Sequence, residues 1–293
     1  MQETKAYTEA FRAPDAHILI VDDTRMNLTV AANLLKKTDI EIDMAISGAE
    51  AITLARTIRY DLILMDQRMP EMDGTEAMRR IRADESGVNR DTQFICLTAD
   101  AVSGAREHYL AAGFTDYLTK PIDGYALEMM LMKYLPEDKI QRAREEEPEQ
   151  VEADAGGCLN DALDGLNAAG IDTQAGLYYC QDDRELYVSL LLEFAKGAQE
   201  KADRLQEFFK LRDWSNYAVL AHALKSSSRM IGAAALSEAA AKLETAADEG
   251  RTQDVTRGHE ETLESYRAAA RAILQTLEPP PEYEVLEFLP EDN

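Results

Sequence analysis

The chain is poor in the residues that build disulfide frameworks, zinc sites and membrane spans. Its 293 residues include only three cysteines and four histidines. The cysteines follow neither a zinc-ligand spacing nor a paired pattern, which suits a reducing cytosol. No apolar run approaches the roughly 20 residues that a membrane helix needs. These absences predict a cytoplasmic location and no direct membrane insertion.

Positive charge is also scarce, because 31 lysines and arginines are set against 55 aspartates and glutamates. The resulting net charge of −24 repels phosphate backbones and anionic lipid, so we expect no nucleic acid partner. Apolar residues make up 45% of the chain, which is enough for a core of ordinary size. The length suits two domains.

Short apolar segments alternate with helical patterns over the first half of the chain. The segments HILIV, IDMAI, LILM, FICLT and DYLT are mostly continuously apolar, which is typical of strands buried on both faces. Helical patterns occupy roughly 27–35, 48–58, 75–82, 102–112 and 125–134. Five strand–helix units predict a parallel five-stranded sheet with helices on both faces.

Polar side chains follow four of these predicted strands, at the positions Asp22, Asp23, Asp66, Thr98 and Lys120. The carboxyl ends of parallel strands share one edge of the sheet, where ligands bind. Three close carboxylates need a cation, and hard oxygen ligands favour a hydrated Mg²⁺. With a lysine and a threonine in reach, such a site can hold a phosphoryl group. The alternative, that each aspartate only caps a helix or a turn, explains one aspartate but not the whole set.

Four motifs, ILIVDD, DLILMDQRMPEMDG, ICLTADA and DYLTKPI, occur in this order within residues 16–137. With them, this region resembles the receiver domain of two-component response regulators. The resemblance implies a flavodoxin-like (βα)5 fold with strand order 2-1-3-4-5. It also implies that Asp66 accepts a phosphoryl group. Asp22 and Asp23, with Asp66 and the backbone carbonyl of Arg68, would bind Mg²⁺ or Mn²⁺.

The same resemblance implies further residues at the phosphoryl group. Thr98 and Lys120 would contact its oxygens, and the small side chain of Ala99 would leave room for access. Tyr117 would be the aromatic switch residue that turns together with Thr98.

Two charged residues near this site suggest a control on the lifetime of the phosphoryl group. Arg68 stands two residues after Asp66, and Asp100 stands two after Thr98. We hypothesise that they form an ion pair over the site, which obstructs attacking water. The alternative is two solvated surface charges. An unchanged decay of phospho-Asp66 in Arg68→Ala would contradict the pair.

Composition divides the rest of the chain. We expect an N-terminal linker at 1–15, the receiver domain at 16–137, and a flexible linker at 138–165, which is acidic and lacks apolar periodicity. Residues 166–277 have helical periodicity throughout and predict an all-α four-helix bundle. Breaks between its helices are expected at Arg212-Asp213, Gly232 and Gly250. Residues 278–293 form an acidic, proline-rich tail.

One helix of the predicted bundle, in the segment AHALKSSSRMIGA, has two distinct faces. One stripe is mostly small or apolar. His222 lies off this stripe and shares a polar, basic face with Lys225, Ser226 and Arg229. A neutral imidazole between two cations is suited to carrying a phosphoryl group. His259, by contrast, lies on the apolar stripe of its helix and is interpreted as a packing residue. A lone histidine on a polar face would otherwise be a solvated surface residue.

The residues around His222 resemble a known family as well. Residues 171–275 resemble histidine phosphotransfer (HPt) domains, whose signature is His-x-Leu-Lys-Gly followed by small residues. Here the signature reads His222-Ala-Leu-Lys-Ser. The resemblance implies that His222 is a second phosphoryl acceptor. Ser226 stands where glycine is usual, and we expect this difference to affect the rate of transfer rather than whether transfer occurs.

A receiver followed by an HPt domain implies a phosphorelay. Asp66 would take a phosphoryl group from the phosphohistidine of a sensor histidine kinase, and His222 would pass it to, or take it from, a downstream response regulator receiver. The chain lacks the glycine-rich ATP-binding segments of a kinase, so whether it is an enzyme stays open. Two origins fit this arrangement. The chain would be either a fragment of a hybrid histidine kinase or a free relay protein. In the first case it would be the cytoplasmic part of a membrane-bound protein. One alternative is a non-catalytic, phosphorylation-controlled adaptor. A transcription factor is a poorer one, because no basic helix-turn-helix face is visible.

Overall fold

The computed structural model describes residues 11–99, 105–142 and 163–278. Over these ranges the chain forms a parallel α/β domain followed by a domain made of helices. None of the helices within these ranges is both long and apolar enough to cross a membrane. The predicted fold class is confirmed.

A single parallel sheet organises the first domain. Within the described residues the strands are β1 (Phe11–Arg12), β2 (His17–Val21), β3 (Glu41–Ala45), β4 (Leu62–Asp66), β5 (Gln93–Thr98), β6 (Asp116–Thr119) and β7 (Gln141–Arg142). The sheet contains β2 to β6 in the order β3-β2-β4-β5-β6, which is the expected order 2-1-3-4-5. Every residue of β4 is buried, as predicted for a strand covered on both faces. Because β4 ends at Asp66 and β5 at Thr98, both residues lie at the carboxyl edge.

Helices cover both faces of this sheet. They are α1 (Arg25–Leu34), α2 (Gly48–Thr57), α3 (Gly74–Ala83), α4 (Ala105–Ala112) and α5 (Gly124–Tyr134). Apolar side chains of α1 and α5 pack on one face, and those of α2, α3 and α4 pack on the other. The side chains of Ser47, Asp73 and Asp123 each cap the start of a helix by accepting a backbone N–H. These aspartates differ from the three predicted to bind a cation.

The predicted linkers are wrong at the ends next to the α/β domain, where short strands form. β1 pairs antiparallel with β7, with Phe11 opposite Arg142 and Arg12 opposite Gln141. Phe11 and Ala13 are fully buried, so this segment is part of the core. A strand of two residues has no alternation that a sequence pattern can reveal, and its partner lies across the whole domain.

The second domain consists of packed helices. They are α6 (163–168), α7 (Thr173–Tyr179), α8 (Arg184–Lys196), α9 (Ala198–Leu211), α10 (Trp214–Met230), α11 (Ala234–Asp248) and α12 (Thr252–Leu277). α6 begins within the predicted linker. All three expected breaks are present, and Arg212, Gly232 and Gly250 adopt positive φ angles of 54°, 83° and 69° there. The division between α8 and α9 at Gly197 was not predicted. Taken together, α8–α9, α10, α11 and α12 give the four long segments of a bundle.

The two domains pack against each other. One apolar core extends from α1 and α5 into the helical domain, and α1 contacts α8. The hydroxyl of Tyr178 donates to Asp123 Oδ2 at 2.6 Å. Gly124 lies close beneath Gln181, since a Cβ on this glycine would be 2.9 Å from the amide nitrogen. This packing places the carboxyl edge of the sheet opposite α10 and α11.

Candidate functional site

Three carboxylates meet at the carboxyl edge of the sheet. Asp22 and Asp23 follow β2, Asp66 ends β4, and their oxygens lie within 4.8 Å of one another. Asp22 and Asp66 are 1% exposed. Asp22 Oδ1 accepts hydrogen bonds from Thr24 N at 2.9 Å and from Asn27 Nδ2 at 2.8 Å. The turn at Asp22 therefore uses only one carboxylate oxygen and leaves the other for the site.

Lys120 is the cation at this cluster. Its Nζ lies 2.5 Å from Asp22 Oδ2 and 2.7 Å from Asp66 Oδ2, and its side chain is 3% exposed. One ammonium group cannot neutralise three carboxylates, so negative charge remains at the edge of the sheet. Hard carboxylate oxygens with excess negative charge fit Mg²⁺, as predicted from the sequence.

Burial and mutual repulsion shift the pKa values of this cluster. The pKa of Asp23 is raised to about 6, because burial and the charge of Asp22 raise it more than Lys120 lowers it. Burial also raises the pKa of Asp66 well above its usual range, against the opposing effect of Lys120. For Lys120 itself, burial lowers the pKa, but the charges of Asp22 and Asp66 outweigh burial and raise it. The cluster therefore holds a proton more readily than isolated aspartates do.

Magnesium binding should weaken as the pH falls through this range. Raised carboxylate pKa values mean that protons compete for the oxygens that a metal ion needs. We expect the affinity for Mg²⁺ to fall by about tenfold or more between pH 8 and pH 5, measured by calorimetric titration. Asp23→Asn should bind Mg²⁺ more weakly and lose the part of this dependence centred near pH 6. An affinity that is constant across this range would contradict the raised pKa values.

Thr98 has a partner that the sequence did not reveal. Its Oγ1 lies 2.7 Å from the hydroxyl of Tyr109 on α4, and both residues are buried. The ring of Tyr117, which is half-buried, lies 6.0 Å from the ring of Tyr109. Ala99 follows Thr98 directly and is partly exposed. Tyr109 therefore stands next to both predicted switch residues, and only the packing of α4 shows this.

His222 lies on α10 and is buried, with 6% of its surface exposed. The burial of this polar face was not predicted, because one helix alone cannot show what packs against each face. Its Nδ1 lies 2.7 Å from Oε1 of Glu244 on α11. The buried Nε2 has no hydrogen-bond partner among the described residues. Nε2 is thus the ring nitrogen that remains for chemistry.

The other residues of the predicted basic face have different surroundings. Lys225 Nζ lies 2.6 Å from Glu244 Oε2, so this cation is already paired. Ser226 is buried, and its hydroxyl has no partner within the described part of the chain. Arg229 is exposed and does not line the cavity that contains His222. The prediction of two cations beside the imidazole is therefore wrong for Arg229 and incomplete for Lys225.

Electrostatics keep the imidazole neutral. Burial lowers the pKa of His222, the hydrogen bond and charge of Glu244 raise it, and Lys120 and Lys225 lower it, with a net lowering. Burial raises the pKa of Glu244, but its contacts with His222 and Lys225 outweigh burial and lower it to about 2. Because His222 is neutral near pH 7, we assign most of the stabilisation of the Glu244 carboxylate to Lys225 and to Arg68, whose Nη1 is 3.2 Å away.

The two predicted phosphoryl acceptors, Asp66 and His222, line one cavity of about 540 Å³ between the domains. Other residues that line it are Arg68, Thr98, Tyr109, Asn216 and Asp248. The predicted partner of Arg68, Asp100, lies outside the described residues, so that ion pair stays a prediction. His259 is buried elsewhere and stacks on Phe209 at 4.0 Å, as expected of a packing residue.

Two family models match this chain, one in each domain. Residues 18–132 match the response regulator receiver domain, and residues 189–278 match the Hpt domain. The chain therefore contains a receiver domain followed by an HPt domain, and these are modules of phosphorelay signalling.

The relatives of this chain include hybrid histidine kinases. It is 38% identical over 119 residues to the signal transduction histidine-protein kinase BarA of Shigella flexneri, covering 41% of this chain and 13% of BarA. It is 34% identical over 159 residues to the sensor protein GacS of Pseudomonas syringae pv. syringae, covering 54% of this chain and 17% of GacS. The chain thus spans less than a fifth of the length of either protein.

Solved structures of separate modules are also similar. The receiver domain of the sensor histidine kinase PA1611 from Pseudomonas aeruginosa, with magnesium in its active site cleft, is 40% identical, with a TM-score of 0.37, covering 41% of this chain and 96% of that one. A second similar structure is the Saccharomyces cerevisiae complex of the histidine phosphotransfer protein Ypd1 with the receiver domain of Ssk1. It is 25% identical, with a TM-score of 0.38, covering 43% of this chain and 91% of that one.

Proposed function

We propose that this chain moves a phosphoryl group between Asp66 and His222 as one step of a phosphorelay. The observation that carries the proposal is the shared cavity, in which Asp66 and the imidazole of His222 face the same space. The buried Nε2 of His222, without a partner among the described residues, supports it as the acceptor atom. Docking of the two domains supports transfer within one chain.

The receiver domain places positive charge at Asp66. In this proposal Asp22, Asp23, Asp66 and the backbone carbonyl of Arg68 hold Mg²⁺, which when bound offsets negative charge on the phosphoryl oxygens. Mn²⁺ in place of Mg²⁺ stays a prediction. Lys120 supplies a second positive charge at the same carboxylates.

In this proposal Glu244 determines which nitrogen of His222 accepts the phosphoryl group. The carboxylate of Glu244 accepts a hydrogen bond from Nδ1–H, which places the lone pair of His222 on Nε2. As the Nε2–P bond forms, the P–O bond to Asp66 breaks and its electron pair returns to the carboxylate. The ring then gains positive charge, and Glu244 beside Nδ1 stabilises it. The reverse step uses the same groups.

We infer the partners from the two modules. A phosphohistidine of a sensor histidine kinase would load Asp66, and a downstream receiver would exchange the phosphoryl group with His222. The identity to BarA and GacS supports a place within a hybrid kinase. Cys96 and Cys180 are buried and form no disulfide within the described residues, which supports a cytosolic setting.

One experiment tests the relay. The full chain is loaded with acetyl phosphate and Mg²⁺, and acid-labile, base-stable phosphate is sought at His222. We expect label at His222 in the wild type, at a rate independent of protein concentration, and none in His222→Gln or Asp66→Asn. Mixing these two variants should give slower transfer that depends on concentration. A wild type that never labels His222, from Asp66 or from a partner receiver, would contradict the relay and favour the adaptor alternative.

Tyr109→Phe should make Asp66 easier to phosphorylate. The variant lacks the hydroxyl that pairs with Thr98, so Thr98 can turn towards a phosphoryl group without first losing this hydrogen bond. We expect phosphorylation by acetyl phosphate to rise by about fivefold, the equivalent of about 1 kcal/mol. Thermal unfolding should show a loss of stability of similar size. Tyr117→Phe is the control, because no hydrogen bond of its hydroxyl to Thr98 is present in the described part of the structure. Slower or unchanged phosphorylation of Tyr109→Phe would contradict this role.

A further inference from the structure

Arg68 joins the receiver loop to two acidic residues of the HPt domain. Its Nη1 lies 2.7 Å from Asp248 Oδ2 and 3.2 Å from Glu244 Oε1. The two carboxylates stand four residues apart on α11, so they share one face of this helix. A single guanidinium group therefore reaches both.

The position of Arg68 is fixed by the phosphorylation site. Its backbone N–H donates to Asp66 Oδ1 at 3.3 Å, and its side chain is 31% exposed. In any receiver that brings its aspartate to His222 in the same way, the residue two positions later faces Glu244 and Asp248. These two carboxylates can therefore distinguish receivers by the charge of that one residue.

Glu244 and Asp248 differ in their contacts within the HPt domain. Glu244 also contacts His222 Nδ1 and Lys225 Nζ, so its charge is shared with the catalytic histidine. Asp248 contacts neither of these residues within the described structure, and 42% of its side chain is exposed. Both carboxylates contact Arg68 across the domain boundary, but only Asp248 can be changed without removing a contact to His222.

We propose that Glu244 and Asp248 form a charge-selective docking site, which binds receivers with a cation two residues after the phosphoryl-accepting aspartate. This inference rests on the proposed function and extends it to the choice of partner. In its own chain Arg68 occupies the site. A downstream receiver has to displace Arg68 before it reaches His222, and one with lysine or arginine at that position restores the lost contact. A receiver with aspartate or glutamate there meets two like charges.

Charge reversal tests the site in the full chain. Asp66 is loaded with acetyl phosphate and Mg²⁺, its phosphorylated fraction is measured first, and the movement of label to His222 is followed by rapid quench. Asp248→Arg should load normally and transfer about tenfold more slowly, because two cations then oppose each other. Arg68→Glu should also transfer slowly, because a carboxylate then faces the carboxylates of Glu244 and Asp248. The double variant Arg68→Glu/Asp248→Arg should recover to within about threefold of the wild type, since it restores an opposite-charge pair.

A matched control separates this contact from overall charge. Glu238→Arg makes the same change in charge on the same helix, where 70% of the side chain is exposed and it pairs with Lys242. We expect wild-type transfer from it. Three results would each contradict the docking site. The first is equal slowing in Glu238→Arg and Asp248→Arg, and the second is normal transfer in Asp248→Arg. The third is a double variant that transfers no faster than the single variants. A wild type without transfer would instead contradict the proposed function.

Discussion

Replacing Lys120 by methionine should lower the free energy of unfolding by about 3 to 5 kcal/mol when magnesium is absent. The side chain of Lys120 is 3% exposed and pairs with two carboxylates that are almost fully buried. Without the ammonium group, Asp22 and Asp66 repel each other where water cannot screen them. The loss should be among the largest that any single charge in this domain produces.

Chemical denaturation with and without Mg²⁺ measures the effect. Magnesium should return much of the lost stability, because a divalent cation at the same carboxylates replaces the missing charge. Asp22→Asn added to Lys120→Met should also recover stability, since it removes one of the repelling groups. Lys133→Met is the matched control: it removes a lysine whose side chain is 55% exposed, and its partner Asp116 keeps a hydrogen bond from the Tyr134 hydroxyl, so it should change stability less. Equal destabilisation by the two methionine variants would show that Lys120 is not balancing a buried charge.

Glu244→Leu should slow transfer between Asp66 and His222 by about tenfold to a hundredfold, the loss seen when the group behind a ligand histidine is removed. The carboxylate selects the tautomer of His222 in which Nε2 carries the lone pair. Leucine fills a similar volume but accepts no hydrogen bond, so both tautomers would be populated. The charge that develops on the ring would also be left without its counter-charge.

Glu244→Gln is the matched control for this prediction. Its amide oxygen accepts from Nδ1–H and keeps the tautomer, although the negative charge is lost, so its rate should lie between those of the wild type and the leucine variant. Nitrogen NMR of the His222 ring distinguishes the tautomers directly. If the leucine variant keeps the proton on Nδ1 and transfers at the wild-type rate, Glu244 has no positioning role.

The position of the receiver site could be predicted because topology determines it. Asp22, Asp66 and Lys120 follow buried strands, and parallel strands bring their carboxyl ends to one edge whatever the loops do. Most element bounds also agree with the structure, and so does the strand order that the resemblance implied. Local spacing therefore carries enough information for this half of the site.

The rest of the site depends on packing between elements that are distant in sequence. Glu244 is 22 residues from His222 and belongs to a different helix. Tyr109 reaches Thr98 only because α4 lies against the end of β5. The burial of His222 needs a second helix and the receiver domain. No periodicity in a single segment contains these contacts, and the acidic residue behind the histidine was missed for that reason.

The pairing of β1 with β7 has a consequence for how the HPt domain is tethered. Because Phe11 lies opposite Arg142, the backbone leaves the receiver beside the point where it arrived. The two ends of the receiver domain therefore lie side by side, and residues 143–162 connect the second of them to α6. The packing between the domains, rather than this connection, therefore holds His222 and Asp66 at one cavity. Under the proposed function, a second receiver reaches His222 only when this packing opens, so the stability of the contact between the domains limits exchange with a partner.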